Sequence, residues 1–328
     1  MESLAKLTGK KDLTTQEAEE LMDKMMSGQL TGAQAAALLV ALKMKGESED
    51  EITAFARVMR RNAVRISPRA QALVDTCGTG GDSSLTFNIS TAAAFIAAGA
   101  GIPVAKHGNR SVSGKSGSAD VLEQLGVRLL QPPEVEKCID RIGIGFMFAP
   151  YFHPAMKNVA QVRKELGIRT VFNILGPLTN PAGASAQLIG VFDPSFTGTF
   201  ARVLSSLGTN HALIVHSEGM DEIGLGKTTV AELKGGKTSA YELDAGELGF
   251  SKSEVPKADS ARESSKIILG VLGGEKGPAL DVSLLNAAAA IYVGGKTKTI
   301  EKGIELARDS VDSGKAGEKL EQLAGFSG

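Results

Sequence analysis

A chain of 328 residues can bury a substantial core and has room for two domains of unequal size. Its 36 lysines and arginines balance 37 aspartates and glutamates, so the net charge of −1 supplies no overall field for nucleic acid or a membrane surface. Cys77 and Cys138 form neither a disulfide framework nor a paired metal motif, which fits a reducing, cytoplasmic compartment. Residues 1–15 are polar and mixed in charge, unlike a signal peptide, and the apolar run 92–105 is too short and too rich in Ala and Gly to span a bilayer.

The chain begins with helices. Thr14 with Glu17, Thr31 with Gln34 and Ser48 with Glu51 have capping-box spacing, in which hydroxyl and carboxylate or amide satisfy orphan backbone donors. Apolar residues recur behind them at helical spacing, as in Ala18, Leu21, Met22 and Met25, or Ile52, Phe55, Ala56 and Met59. Gly28 and Gly46 sit where two of these helices should stop. Three short helices cannot bury both a core and their outer faces, so they should pack on the main body or on a second copy. Met22, Met25, Met26 and Met44 read as packing rather than as a ligand site. The charged, Pro-containing stretch 60–69 reads as a connection, placing a helical domain at 1–66 and a second domain at 67–328. Strand patterns then fall at 72–76, 102–105, 143–148, 188–192, 212–216 and 228–233, with helical stretches between them at 119–125, 133–142, 155–166 and 197–207. This alternation predicts an α/β domain with a mostly parallel central sheet, and helices from about 258 to 323 covering it. Ligands should sit at the carboxyl ends of the strands.

Five polar segments fall where loops should follow strands. Asp75-Thr-Cys-Gly-Thr-Gly-Gly-Asp82 offers Gly78, Gly80 and Gly81, whose backbone can turn sharply and present N–H groups to an anion. Asp82 argues against a bare phosphate cradle, because a carboxylate beside phosphate needs a metal ion or sugar hydroxyls between them. Asn88-Ile-Ser90-Thr91 precedes a helix, with Ser90 or Thr91 as its natural N-cap and spare hydroxyls for an anion or a metal. Lys106-His-Gly-Asn-Arg110 and the Ser/Gly-rich run to Ser118 can wrap phosphate, with Ser118 capping the next helix. His153 and Arg163 lie on and near a helix, and Asp221-Glu222 follows a strand; paired oxygen ligands suit magnesium that also touches a diphosphate. Cys77 has no base nearby in sequence and reads as packing, while His211 and His216 flank an apolar strand as structural residues.

These motifs, with Ser116-Gly-Ser-Ala-Asp120 and Asn173-x-Leu-Gly-Pro-Leu-Thr-Asn-Pro181, occur in an order that resembles the anthranilate phosphoribosyltransferases of tryptophan biosynthesis, over nearly the whole chain. The resemblance implies a nucleoside phosphorylase/phosphoribosyltransferase-like fold. It also implies a mid-chain segment near 155–180 beside the helical domain, and a homodimer formed through that domain. The implied reaction joins anthranilate to the ribose of phosphoribosyl pyrophosphate (PRPP) and releases diphosphate, with Mg2+. Carried over by position, PRPP would be held by Gly78, Gly81, Asp82, Thr86, Asn88, Ile89, Ser90 and Thr91. The run Lys106, His107, Gly108, Asn109, Arg110, Ser111, Val112, Ser113 and Gly114, and then Ser118, would complete that subsite. Gly78, Asn109 and Arg163 would contact anthranilate, Ser90, Asp221 and Glu222 would hold the metal, and His107 and His153 would line the aromatic substrate's approach. No dedicated base is implied. Two rival readings stand beside this one. The pyrimidine nucleoside phosphorylases are similar in fold but differ after Lys-His, and a nucleic-acid-binding relative of the fold should carry a basic surface and lack the substrate motifs.

Overall fold

The computed structural model describes residues 2–70, 72–81, 84–111 and 116–327. It opens with four helices, Glu2–Thr8, Thr15–Met26, Gly32–Lys45 and Glu49–Asn62, one more than the three expected. The extra first helix buries only Leu7 and carries no capping signature, which leaves little for periodicity to detect. All three capping boxes form. Glu51 does more than cap: its carboxylate, wholly buried, also accepts from Leu13 N at 2.9 Å and pairs with Lys45 at 2.8 Å, tying together the start of the bundle. Met22, Met25 and Met26 are core residues, whereas Met44 is 80% exposed.

The rest of the chain is built on a seven-stranded sheet of order β3-β2-β1-β4-β5-β6-β7. The strands are β1 Val74–Gly78, β2 Val104–Gly108, β3 Ile144–Phe148, β4 Ala186–Gly190, β5 His211–His216, β6 Lys227–Lys234 and β7 Lys237–Asp244. The first five are parallel and the last two antiparallel. Strand β7 was not expected from sequence. Only Leu243 of its eight residues is buried, so no apolar alternation marks it, and it is formed by the Gly235-Gly236 turn back along β6. Strands β1 and β2 also end later than the apolar pattern suggests. Strand β1 runs on through Cys77 and Gly78, and Lys106 and His107, polar yet enclosed, carry β2 on to Gly108 where a loop was expected.

One face of the sheet packs on the Ile89–Gly99 helix and on the C-terminal helices Ala261–Leu272, Pro278–Val293, Ile300–Asp312 and Lys315–Ala324. Pro278–Val293 runs through the middle, with Ala287 to Ile291 entirely buried. The other face shares one apolar cluster with the N-terminal helices: Leu39 and Phe55 join Val159, Val162, Phe172, Ile189, Phe200 and Ile214. Cys77 is part of that cluster, as packing requires.

Candidate active site

The carboxyl ends of β1, β2, β4 and β5 lie along one edge, where Gly78 stands beside Gly190 in register. The loop after β5 folds back over this edge. A side chain at Gly190 would overlap the backbone of Asp221, and one at Gly78 would overlap its carboxylate, so both glycines are dictated by close approach. Asp221 Oδ2 accepts from Gly80 N at 2.7 Å, and Glu222 Oε1 accepts from Ser90 N at 3.1 Å. Adjacent acids thus reach two different strand-end segments. Their loop is held from below: Ser217 Oγ donates to Glu222 O at 2.8 Å, and the buried Asn286 both accepts from Ile223 N (3.1 Å) and donates to Ile223 O (2.8 Å).

Ser90 and Thr91 lie within the first turn of the Ile89–Gly99 helix, and the N-cap position belongs to Asn88, because the helix starts earlier than expected. Asn88 accepts from Ser264 Oγ at 2.9 Å and donates its N–H back to that oxygen at 2.9 Å. Ser118 is likewise the first residue of its helix, with Gly117 at the cap; its hydroxyl donates to Asn109 O at 3.4 Å. Lys106, 4% exposed, points along the gap between β1 and β2 and donates to Thr76 O and to Ser90 Oγ, the latter at 3.2 Å. Burial draws its ammonium down, opposed first by the Asp75 carboxylate and then by Cys77, Glu222 and Asp221. Burial likewise pushes Asp75 up, opposed by Asn180, Lys106 and His107 N–H. Thr86 forms a bridge with Lys257, and the Ile89 side chain is fully buried, so only its backbone can face a ligand. Arg110 is divided between Asp120 at 2.8 Å and Glu123 at 2.6 Å, and its guanidinium also lies over Phe148. Asp82, Val112, Ser113 and Gly114 lie outside the described residues.

Arg163, on the Lys157–Leu166 helix, is half-buried, with its guanidinium 5.4 Å from the Phe172 ring centre. Burial lowers its pKa, and among the described residues no carboxylate pairs with it. His107 and His153 stand with ring centres 5.1 Å apart. Burial pushes His107 down to about 3, with a further contribution from His153, and pushes His153 down to about 4, so both rings are neutral near pH 7. Each has a buried Nε2 without a protein partner, while His107 Nδ1 meets Gly176 O at 3.2 Å. Asn109 is exposed at the end of β2.

Among the described residues no group of three or more His, Cys, Asp or Glu side chains forms a metal cage. The donor set does fit magnesium, a hard cation that keeps waters and shares substrate phosphates, and so needs only one or two carboxylates. Asp221, Glu222 and the Ser90 hydroxyl are all oxygen donors gathered at the same strand ends. His211 and His216 lie apart from these groups, bonded to Glu232 at 2.9 Å and to Val191 O at 2.8 Å. Sequence reasoning assigned no role to Asn180, Asn286, Ser264 and Gly190, whose parts arise from long-range contacts; Asn180 lay within the quoted Asn173–Pro181 motif, and a glycine ending an apolar strand was the signal at Gly190.

Residues 70–317 match the family model described as glycosyl transferase family, a/b domain, and residues 1–63 match glycosyl transferase family, helical bundle domain. The anthranilate phosphoribosyltransferase of Chromobacterium violaceum is 54% identical over 332 residues, covering 99% of this chain and 97% of that protein. That of Symbiobacterium thermophilum is 52% identical, covering 96% of this chain and 94% of that protein. This chain belongs to the anthranilate phosphoribosyltransferase family. Among solved structures, the family member from Thermus thermophilus superposes with a TM-score of 0.94 at 44% identity, covering 99% of both chains. The Saccharomyces cerevisiae member in complex with PRPP and Mg superposes with a TM-score of 0.86 at 28% identity, covering 95% of this chain and 92% of that one. Family membership does not favour the phosphorylase or the nucleic-acid-binding reading.

Proposed function

We infer that the strand-end edge transfers the phosphoribosyl group of PRPP to the amine of anthranilate and releases diphosphate, as a glycosyltransferase of tryptophan biosynthesis. The observation that carries the assignment is the gathering of Lys106, Ser90, Asp221 and Glu222 at the ends of β1 and β2, with a half-buried Arg163 that has no carboxylate partner among the described residues. In the transfer, the amine nitrogen bonds to C1 of the ribose while the bond from C1 to the diphosphate oxygen breaks and its electron pair leaves with diphosphate; the nitrogen, cationic on attack, then gives up a proton to solvent. Positive charge grows on the sugar and negative charge on the leaving group, so fixed donors aimed at the diphosphate lower the barrier. Gly78, Gly81, Asp82, Thr86, Asn88, Ile89, Ser90, Thr91 and the run from Lys106 to Gly114, with Ser118, hold PRPP in this reading. Ser90, Asp221 and Glu222 would hold magnesium, which when bound neutralises charge on the diphosphate. Arg163 grips the anthranilate carboxylate, Asn109 and Gly78 contact its ring side, and neutral His107 and His153 line its approach. An aryl amine is nucleophilic when neutral, so no strong base has to act before attack, and positioning with charge stabilisation dominates.

In a fluorescence assay the purified protein should consume anthranilate when given PRPP and magnesium, and should stop when magnesium is chelated. Unchanged anthranilate fluorescence together with phosphorolysis of thymidine or uridine would move the assignment to the phosphorylases. We place the enzyme in the cytoplasm; no helix among the described residues is long and apolar enough to cross a membrane. The N-terminal helices, which leave Met44 80% exposed, are proposed to form a homodimer. Light scattering at micromolar concentration should give twice the 34.1 kDa chain mass, and a monomer would defeat the proposal.

A further inference from the structure

The segment from Asn173 to Pro181 touches no substrate in the reading above, yet it is bonded into the floor of the site. Strands β1 and β2 are in register only at Val74 and Val104, whereas β1 runs beside β4, and β2 beside β3, over five successive positions. The two strands splay toward the site, and side chains take over the backbone groups in the gap. His107 N donates to Asp75 Oδ1 at 3.0 Å. Asn180 Nδ2 donates to Asp75 Oδ2 at 2.7 Å and to Ala105 O at 2.9 Å, while Asn180 Oδ1 accepts from Ala182 N at 2.9 Å. Lys106 Nζ fills the remaining position on Thr76 O. Asp75 is 0% and Asn180 3% exposed, so removing one partner leaves the other's polar atoms buried and unsatisfied.

This wedge meets both sides of the site. Asp75 lies on the strand that ends in the glycine-rich loop. Through His107 it fixes the ring that bonds Gly176 O, and through Asn180 it fixes the segment whose Leu178 O accepts from Arg60 Nε of the helical domain at 2.7 Å. We propose that Asp75 and Asn180 are a positioning pair, a polar wedge that sets the gap between β1 and β2 and thereby the separation of the phosphoribosyl subsite from the aromatic-substrate subsite. The inference rests on the functional reading above. It goes further in assigning the alignment of two separately bound substrates to two residues that touch neither.

The pair can be tested with near-isosteric changes. In Asp75→Asn an amide N–H must face either His107 N–H or Asn180 Nδ2, and in Asn180→Asp a carboxylate faces both Asp75 and Ala105 O. The exchange variant Asp75→Asn/Asn180→Asp restores one carboxylate and one carboxamide, and leaves Ala105 O without its donor and one N–H of the new amide without an acceptor. Each single variant should lose about 10²-fold in kcat, the effect of misplacing reactants by about 1 Å, while KM for each substrate stays within about threefold. The exchange variant should regain at least about tenfold of that loss. A kcat within about threefold of wild type in a soluble single variant, whatever its melting temperature, overturns the inference. So does a loss confined to KM for PRPP, which would mark a binding role. Should neither single variant be soluble, the exchange variant decides. A kcat within about tenfold of wild type then supports the wedge, and an insoluble or hundredfold-impaired protein overturns it. Failure of the wild-type chain to consume anthranilate would instead overturn the functional reading itself.

Discussion

Replacing Arg163 by alanine lowers kcat/KM for anthranilate by about 10²-fold or more and leaves KM for PRPP nearly unchanged. An arginine fork on a carboxylate is charge-assisted and bidentate, and removing one partner from a desolvated pair costs about 2–5 kcal/mol. The setting of Arg163 suits that role. Its guanidinium is half-buried against Phe172, and no carboxylate of the described residues neutralises it, so the free enzyme carries a partly desolvated cation ready for an anionic ligand. Arg163→Lys should recover only part of the loss, because an ammonium is a point charge without the planar fork. Steady-state rates with each substrate varied in turn separate the cases. A variant whose main defect is a raised KM for PRPP would place Arg163 in the other subsite.

The second large effect is expected at the acidic pair. Asp221→Asn with Glu222→Gln keeps the side-chain volumes and an oxygen for Gly80 N–H and Ser90 N–H, so the two loop hydrogen bonds can persist. What disappears is charge. Neutral amides are poor ligands for a hard divalent cation, and the magnesium concentration for half-maximal rate should rise by about tenfold or more while KM for anthranilate changes little. Initial rates across a magnesium titration measure this directly. A wild-type titration curve in the double variant would show that the pair serves only to hold the loop.

Local signals carried most of the architecture. The three capping boxes and the stripes behind them located the helices from Thr15 to Asn62, and the alternation of elements announced a parallel sheet. The strand-end segments bearing Gly78, Ser90, Lys106 and Asp221 were legible because small and charged residues are unusual at strand ends. Most of the misses share one cause. Asp75 and Lys106 interrupt the apolar pattern of β1 and β2, and what makes them acceptable inside a sheet lies elsewhere in the chain, as with Asn180, 105 positions beyond Asp75. Gly190 looks like any strand glycine until the backbone of Asp221 is laid over it. Strand β7 escaped for the opposite reason: an exposed edge needs no hydrophobic code.

The apolar cluster that runs from Leu39 and Phe55 through Val162 and Phe172 to Ile189 and Ile214 also has a thermodynamic meaning. The family models divide the chain between residues 63 and 70, yet one continuous apolar cluster joins the bundle to the sheet. Detaching the bundle would bare Phe200 and Leu204, both now wholly buried, at roughly 1.5–3 kcal/mol for each large side chain exposed. Heat or denaturant should therefore unfold the bundle and the sheet in a single cooperative step, which calorimetry would show as one transition.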